Sequence, residues 1–442
     1  MSTSTPAPRL LVPTAADAGR IRTLEDTVWF EVQPGLNADD YVESLDLQRT
    51  RVVEQPVGDP LLPAGEGPPP LAAMYTDYPL TLTVPGPGTG LAQVPMSGLS
   101  WVAVHPDHRR RGLLRAMVGD HLHRVHDSGE AAVSGLLAAE VGIYGRFGYR
   151  PASLGVEYSL GRGTELQVPP TLAAPADEVS TRMLSLEDPA AAAVLHRAHV
   201  ACGPSTLGAV VRSAGMAEVW FRDFPEHRRE KEPRRVLVAG RAGADGGTQP
   251  VGYAVFRRTP KWSDEDVAEG TVTVWELGAV DPPALLALAR RLLDLDLTTK
   301  VTFRARRLDD PLLWWAGGPR STGVVLVDNL WVRLVDLPRA LTDRGYAAAC
   351  DVVLEVTDEL CPWNAGRWRL RVDDHGSAQC ERTDRSPDLS LPVAVLGACY
   401  TGGRTLASQA AAGAVEELTA GTVPALSRAM RADREPVGSI DF

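Results

Sequence analysis

The stretch from Leu99 to Tyr149 constrains this chain more than any other. It opens with a short apolar run, Leu99–Val104, and turns through His105-Pro106-Asp107 into Arg109-Arg110-Arg111-Gly112. It continues as a helix whose apolar residues Leu114, Met117, Val118, Leu122 and Val125 fall at spacings of three and four. The first turn of a helix exposes unpaired N–H groups at the positive end of the helix dipole. That is an anion site, suited above all to phosphate. The arginines add charge, and Gly112 opens the turn to close backbone approach. A strand feeding such a turn can also offer free backbone N–H and C=O groups to an extended ligand arm. A pyrophosphate on a long amide arm is coenzyme A.

Composition bounds the rest. A chain of 442 residues holds roughly three domains. No apolar run is long enough to span a bilayer, and the first residues, MSTSTPAPRLLVPT, lack the regions of a signal peptide, which predicts a cytoplasmic protein without membrane contact. The five cysteines, Cys202, Cys350, Cys361, Cys380 and Cys399, are scattered and read as reduced thiols. A net charge of −11 argues against nucleic acid and suits cationic ligands. His121, His123 and His126 resemble a metal cluster, but only His123 and His126 share a helical face and no further ligand is evident, so no metal is expected.

Along the chain, Ile21, Leu24, Val28 and Trp29 predict a first helix, and Tyr41, Leu45 and Leu47 a second. Strands follow at Arg51–Val53 and Leu71–Thr83, around a Pro- and Gly-rich loop, Pro56–Pro70. Pro169–Asp177 reads as a linker. Beyond it Leu195–Val211 is helical in pattern, Val236–Ala239 and Val251–Arg257 form a hairpin, and a strand, Thr271–Val280, leads into a helix, Pro283–Leu293. This mirrors the opening stretch, except that the junction is Asp281-Pro282-Pro283, where a phosphate would meet a carboxylate and few N–H groups. A third region starts near Asp328, with strands at Val352–Val356, Arg367–Val372 and Ala378–Arg382 and helices at Gly403–Leu418 and Pro424–Arg431. The expected division is residues 1–168, 169–327 and 328–442.

These residues resemble known patterns. Arg109-Arg110-Arg111-Gly112-Leu113-Leu114 is similar to the cofactor motif of the GCN5-related N-acetyltransferases (GNAT), with Leu114 where the family has a small residue. Ile143-Tyr144-Gly145-Arg146-Phe147-Gly148-Tyr149 looks like that family's tyrosine block. The third region resembles a sterol-carrier-protein-like α+β domain. Two tandem GNAT-like units followed by such a domain, with WVAV-x-P-x-H-RRRGLLRAM, GIYGRFGY, LWVRLVDLPRAL and an acid before a terminal phenylalanine, resemble the enhanced intracellular survival (Eis) family over the whole chain.

The resemblance implies a fold class of α/β and α+β units, the second unit lacking a cofactor site. It implies acetyl transfer from acetyl-CoA to amines, including aminoglycoside amines and lysine side chains, by a homo-oligomer, a hexamer. Val102, Ala103 and Val104 would hold the pantetheine arm; Arg109, Arg110, Arg111, Gly112, Leu113, Leu114 and Arg115 the pyrophosphate; Ala139 and Glu140 the edge of the cofactor or substrate. The family often has serine at Ala139 and glycine at Val141, so a side-chain hydrogen bond is lost there. Trp101 would face the substrate, and Asp26 and Asp441 would attract its positive charge. Tyr144 would be the general acid that protonates the departing thiolate. The general base would be the α-carboxylate of Phe442; an ordinary α-carboxyl titrates near ~3.5, so burial would have to raise it. Two other readings of the residues stay open: a dedicated protein-lysine acetyltransferase, and a non-enzymatic lipid or acyl-CoA binding protein working through the third domain.

Overall fold

A computed structural model describes residues 8–30, 37–56, 67–223, 228, 231–243 and 246–442. Most of the loop expected at Pro56–Pro70 lies outside the described residues.

Three sheets organise the chain. The first grows from a long antiparallel hairpin, Leu71–Pro85 against Leu91–Val104. Its strand order is Arg51–Glu54, Leu71–Pro85, Leu91–Val104, Val133–Leu137, Leu330–Leu334, Arg150–Pro151. Val210–Arg212 adds to the outer edge of the hairpin at Leu80–Leu82. The helix Leu113–Ser128 buries Leu113, Met117, Val118, Leu122 and Val125 on this sheet, as the spacing predicts, and Leu114 packs only partly. The helix Ala18–Trp29 covers the other face of the hairpin with Ile21 and Leu24.

The second sheet runs Val325–Asp328, Leu154–Gly161, Thr298–Arg306, Gly270–Ala279, Thr248–Thr259, Arg235–Ala242, Ser180–Ser185. The strongly amphipathic helix Pro282–Leu293 supplies much of its core. The third sheet comprises Ala378–Arg382, Gly366–Val372, Cys350–Thr357, Leu389–Pro392 and Glu416–Glu417. Its apolar face is continuous with that of the first sheet: Leu80, Met96 and Leu330 share one buried cluster with Leu354, Leu396 and Phe442.

The sheets do not follow the linear division at 168/169 and 327/328. Leu154–Gly161 lies in the second sheet, while Val210–Arg212 and Leu330–Leu334 lie in the first. Alternating side chains mark a strand but not its partner, which long-range packing selects. Pro169–Asp177 is not a linker: Pro170–Asp177 is a helix with proline in its first turn, packed on the helix Pro282–Leu293. The helix expected over Leu195–Val211 ends at Cys202, where Gly203-Pro204 breaks it, and Val210 and Val211 are strand. Within Gly403–Leu418 only Leu406–Ala411 is helical, and Glu416–Glu417 pairs with Leu389–Ser390.

The three histidines diverge. His121 is buried and meets Ser134 Oγ at 2.8 Å, while His126 stacks on Trp363 at 4.1 Å with His123 edge-on to the same ring. Among the described residues no helix is long and apolar enough to cross a membrane.

Candidate active site

The strands Leu91–Val104 and Val133–Leu137 run parallel, but they pair only from Met96–Gly98 to Val133–Gly135. Beyond Gly98 they part. A bulge causes it: on the partner strand Tyr75 stands between Met74, paired with Ala103, and Thr76, paired with Ser100, so two residues, Trp101 and Val102, oppose one. Trp101 takes a φ of +51°, rare for a bulky residue and a place where strain is held. Val102, Ala103 and Val104 thus carry an edge that no strand among the described residues completes, a ready match for an amide-bearing arm.

That edge leads into the basic turn. His105, Asp107 and His108 make a tight 3₁₀ turn, after which Arg110 and Gly112 both take positive φ, +61° and +81°. Gly112 precedes the helix Leu113–Ser128 without any side-chain cap, so the first-turn N–H groups of Leu113, Leu114 and Arg115 face outward. Arg109, Arg110, Arg111 and Arg115 are exposed around them. A Cβ on Gly112 would meet nothing within 4 Å, so glycine is needed there for its backbone angle rather than for space. The residues present fit a pyrophosphate.

The second unit has the same split and closes it. Gly270–Ala279 and Thr298–Arg306 pair only as far as Val274 and Phe303. Arg306 then reaches across and donates to the Leu277 carbonyl at 2.6 Å, held there by Asp310 at 2.6 Å. At the helix start Asp281 caps Ala284 N–H at 2.9 Å and is itself paired with Arg241. The groups that would take a phosphate are occupied by a carboxylate.

Two apolar clusters meet at the split of the first unit. Val102, Ala138 and Tyr144 pack against one of them, while Trp101 and Leu137 pack against the other, which contains Phe442. Neighbours along a strand face opposite sides, so the tyrosine and the chain terminus flank the split from its two faces. Tyr144 closes a short helix, Val141–Tyr144, that starts at the exposed Glu140, with the exposed Ala139 before it. Burial, reinforced by the charge of Glu140, pushes the Tyr144 phenol up to about 12, so it stays protonated at neutral pH. Its ring stands edge-on to Tyr149 at 6.2 Å, and Tyr149 is fixed through Ser134 to His121.

On the other face the last residues thread between the units. Val437 N–H donates to Leu207, Gly438 and Asn329 exchange hydrogen bonds, and the Asp441 carbonyl accepts from Arg212 at 3.0 Å. Phe442 is buried, its ring filling the space left by Gly98, and its carbonyl-group oxygen accepts from Ser100 Oγ at 2.9 Å. Asp441 lines a cavity of about 410 Å³ with Leu137, Ala138, Trp220, Trp275 and Glu276. Asp26 is brought in indirectly: it accepts from Tyr41 Oη at 2.9 Å, and Tyr41 stands edge-on to Trp101.

Two contributors escape the sequence reading. Arg333 is wholly buried, pairs with Asp358 at 2.7 Å and donates to the Phe147 carbonyl at 3.0 Å, tying the tyrosine loop to the third unit. Its signal was a single cation inside an apolar strand. Glu25 lies on the apolar stripe Ile21, Glu25, Val28, a polar residue at a core spacing.

Comparison with known proteins agrees with this architecture. The Acetyltransferase (GNAT) domain matches residues 30–152, a second Acetyltransferase (GNAT) domain matches 208–334, and the Sterol carrier protein domain matches 337–439. The chain is 39% identical over 357 residues to an uncharacterized N-acetyltransferase of Streptomyces coelicolor, covering 80% of this chain and 82% of that one. It is 33% identical over 362 residues to the N-acetyltransferase Eis of Mycobacterium tuberculosis, covering 77% of each. The crystal structure of Eis1 from Mycobacterium abscessus superimposes with a TM-score of 0.76 at 29% identity, over 98% of this chain and 100% of that one.

Proposed function

This chain belongs to the Eis family of GCN5-related N-acetyltransferases, and from that premise we propose that it acetylates primary amines of polycationic small molecules, aminoglycosides among them. The observation that supports this most is the split strand edge of Val102–Val104, which runs into an uncapped helix start ringed by arginines while a phenol and the chain terminus flank it. GNAT enzymes take acetyl-CoA as acyl donor; here Val102–Val104 would hold its amide arm and Arg109–Arg115 its pyrophosphate, with Ala139 and Glu140 at the rim.

The chain's residues then divide the proton work. The Phe442 carboxylate takes a proton from the acceptor ammonium, freeing a nitrogen lone pair to attack the thioester carbon. The carbon–sulfur bond breaks, Tyr144 gives its proton to the departing sulfur, and the second proton shed by the new amide nitrogen leaves through solvent, from which the Tyr144 phenol is restored. Asp441 and the two tryptophans of the cavity beside Leu137 suit a cationic acceptor, since aromatic faces and carboxylates both attract ammonium groups, while Glu276 is already paired with Arg212, and Arg234 and Arg304 share the lining. Trp101, held by Tyr41 and through it by Asp26, forms the wall between acceptor and sheet. The third unit acts as a brace that delivers Phe442 and, through Arg333, fixes the tyrosine loop. The working assembly is a hexamer in the cytoplasm, which light scattering and fractionation read directly.

Thiol release from acetyl-CoA in the presence of an aminoglycoside tests the reading. Tyr144→Phe is expected to lower turnover about a hundredfold or more while leaving acetyl-CoA affinity intact. A short Gly-Ser extension after Phe442 is expected to leave binding intact and lose turnover; full turnover in that variant removes the terminal carboxylate from the mechanism.

A further inference from the structure

The last residues run beside the short strand Val210–Arg212 and the turn before it. Val437 N–H donates to the Leu207 carbonyl at 3.0 Å. The Val210 N–H donates to Ser439 Oγ at 3.3 Å, and Arg212 donates to the Asp441 carbonyl at 3.0 Å. A step from Val210 to Arg212 thus moves the contact from Ser439 to Asp441, so the two segments lie side by side. The Asp441 carbonyl belongs to the peptide bond that carries Phe442. The strand itself is fixed on the first sheet at Leu80–Leu82, and Leu80 and the Phe442 ring close together on Gly98.

Arg212 is buried, and its side chain is held from several sides. Its guanidinium donates to both oxygens of Glu276, on the second sheet, at 2.7 and 3.2 Å, and lies over the rings of Trp220 and Phe221 at 5.5 and 5.1 Å. Its backbone N–H donates to His199 Nε2 at 3.1 Å. Burial pushes the His199 pKa down to about 3, so the imidazole is neutral and carries its hydrogen on Nδ1, 2.8 Å from Tyr253 Oη. The Tyr253 hydroxyl faces Glu276 Oε2 at 3.5 Å, which closes a ring of four residues back on Arg212. A two-bond pairing fixes a guanidinium in direction as well as in place, and Glu276 balances its charge. Arg212 Nε meets no acceptor, so among the described residues the guanidinium spends its bonds on Glu276 and on the last peptide.

We infer that Arg212 is the positioning residue of the chain terminus, and that the second unit, whose own cofactor split is closed, serves the reaction by supplying the Glu276 that aims it. The inference rests on the terminal-base reading above. Phe442 reaches the site from a segment that forms no strand, so its carboxylate is only as well placed as the peptide before it. A displacement of about 1 Å at a reacting group costs on the order of a hundredfold in rate. Lysine at this position keeps the charge, but a single ammonium cannot hold both Glu276 oxygens and the Asp441 carbonyl in one fixed geometry.

The test places Arg212→Lys in the full chain and in a chain lacking Phe442. Thiol release from acetyl-CoA with an aminoglycoside, removal of Phe442 by a carboxypeptidase, and urea unfolding are followed for each. In the full chain Arg212→Lys is expected to lower kcat about tenfold or more, to speed the removal of Phe442 by a similar factor, and to leave the KM for acetyl-CoA unchanged. In the chain lacking Phe442 the same substitution is expected to change the residual kcat by less than about twofold, because the residue it acts through is gone. A second variant, Arg212→Met with Glu276→Leu, removes the buried pair as a unit. It is expected to unfold near the wild-type urea midpoint and still to lose turnover and the protection of Phe442, which separates positioning from folding. Wild-type protection of Phe442 in both variants, a fall in kcat that persists in full without Phe442, or a raised acetyl-CoA KM at unchanged kcat each overturns the inference. Turnover that does not need Phe442 at all removes the terminal base instead, and the peptidase contrast then still decides whether Arg212 holds the chain end.

Discussion

Adding one methyl group at Gly98 separates binding from catalysis. An ideal Cβ there would lie 2.8 Å from two atoms of the Phe442 ring and 2.5 Å from Leu80 Cδ1. Carbon atoms sit comfortably at about 3.5–4.0 Å, so the neighbours of Gly98→Ala must give way by on the order of 1 Å. Leu80 is embedded in the sheet, whereas Phe442 belongs to no strand and is held by Ser100 and by burial of its ring. The ring is therefore the element that moves. Overpacking of this kind costs about 1–3 kcal/mol, which lowers the docking equilibrium constant of the terminus by roughly 5-fold to 150-fold. Turnover is expected to fall by up to that factor. Acetyl-CoA affinity is expected to hold, since nothing between Arg109 and Arg115 is touched. Steady-state thiol release gives the first number, titration calorimetry the second, and the rate at which a carboxypeptidase removes Phe442 reports undocking independently. A variant that loses Phe442 quickly to the peptidase yet turns over at the wild-type rate refutes the role given to the terminus.

Titration with acetyl-CoA is expected to give one site per chain, because Arg306 and Asp281 close the second split; Gly112→Glu, at a φ of +81° and with a repelling charge, is expected to abolish that site, and a second equivalent site contradicts the account. Arg333→Met leaves Asp358 buried without its partner and the Phe147 carbonyl without its donor, for an expected loss of about 3–5 kcal/mol in urea unfolding; Arg333→Met combined with Asp358→Leu is expected to recover part of it. His121 is buried with its pKa pushed down to about 4, so the unfolded chain binds its proton more readily between about pH 6.5 and 4. Stability is present above that window and falls as pH drops through it, by at most about 1.4 kcal/mol per pH unit; His121→Gln is expected to flatten that part of the melting-temperature profile.

Local pattern and long-range pairing were not equally legible. The turn Arg109–Gly112 and its helix are contiguous, and a spacing of three and four residues reports the buried face without reference to the rest of the chain. The same holds for the contrast between Gly112 and the capping Asp281, which is chemistry carried by the residues themselves. The bulge at Trp101 could not be read, because it arises from how two strands count against each other. Nor could the exchange of Leu154–Gly161 and Leu330–Leu334 between sheets, since each alternates equally well wherever it pairs. Glu25 and Arg333 did leave a trace, each a charge at a position where its element is otherwise apolar. Such misfits are where a chain spends stability on something other than packing.

The strand Leu330–Leu334 has a consequence for synthesis. It lies in the first sheet between Val133–Leu137 and Arg150–Pro151, both made far earlier. Until residue 334 has left the ribosome, the sheet beside Tyr144 and the basic turn stands open beyond Val133–Leu137. Pairings so distant in sequence form late and slowly. The emerging chain must therefore be carried, with Val133–Leu137 bare on one edge, through the synthesis of the entire second sheet. Cells that make this protein in quantity expose that edge to chaperones and to copies of itself, and slowing translation between Val210 and Leu334 lengthens that exposure.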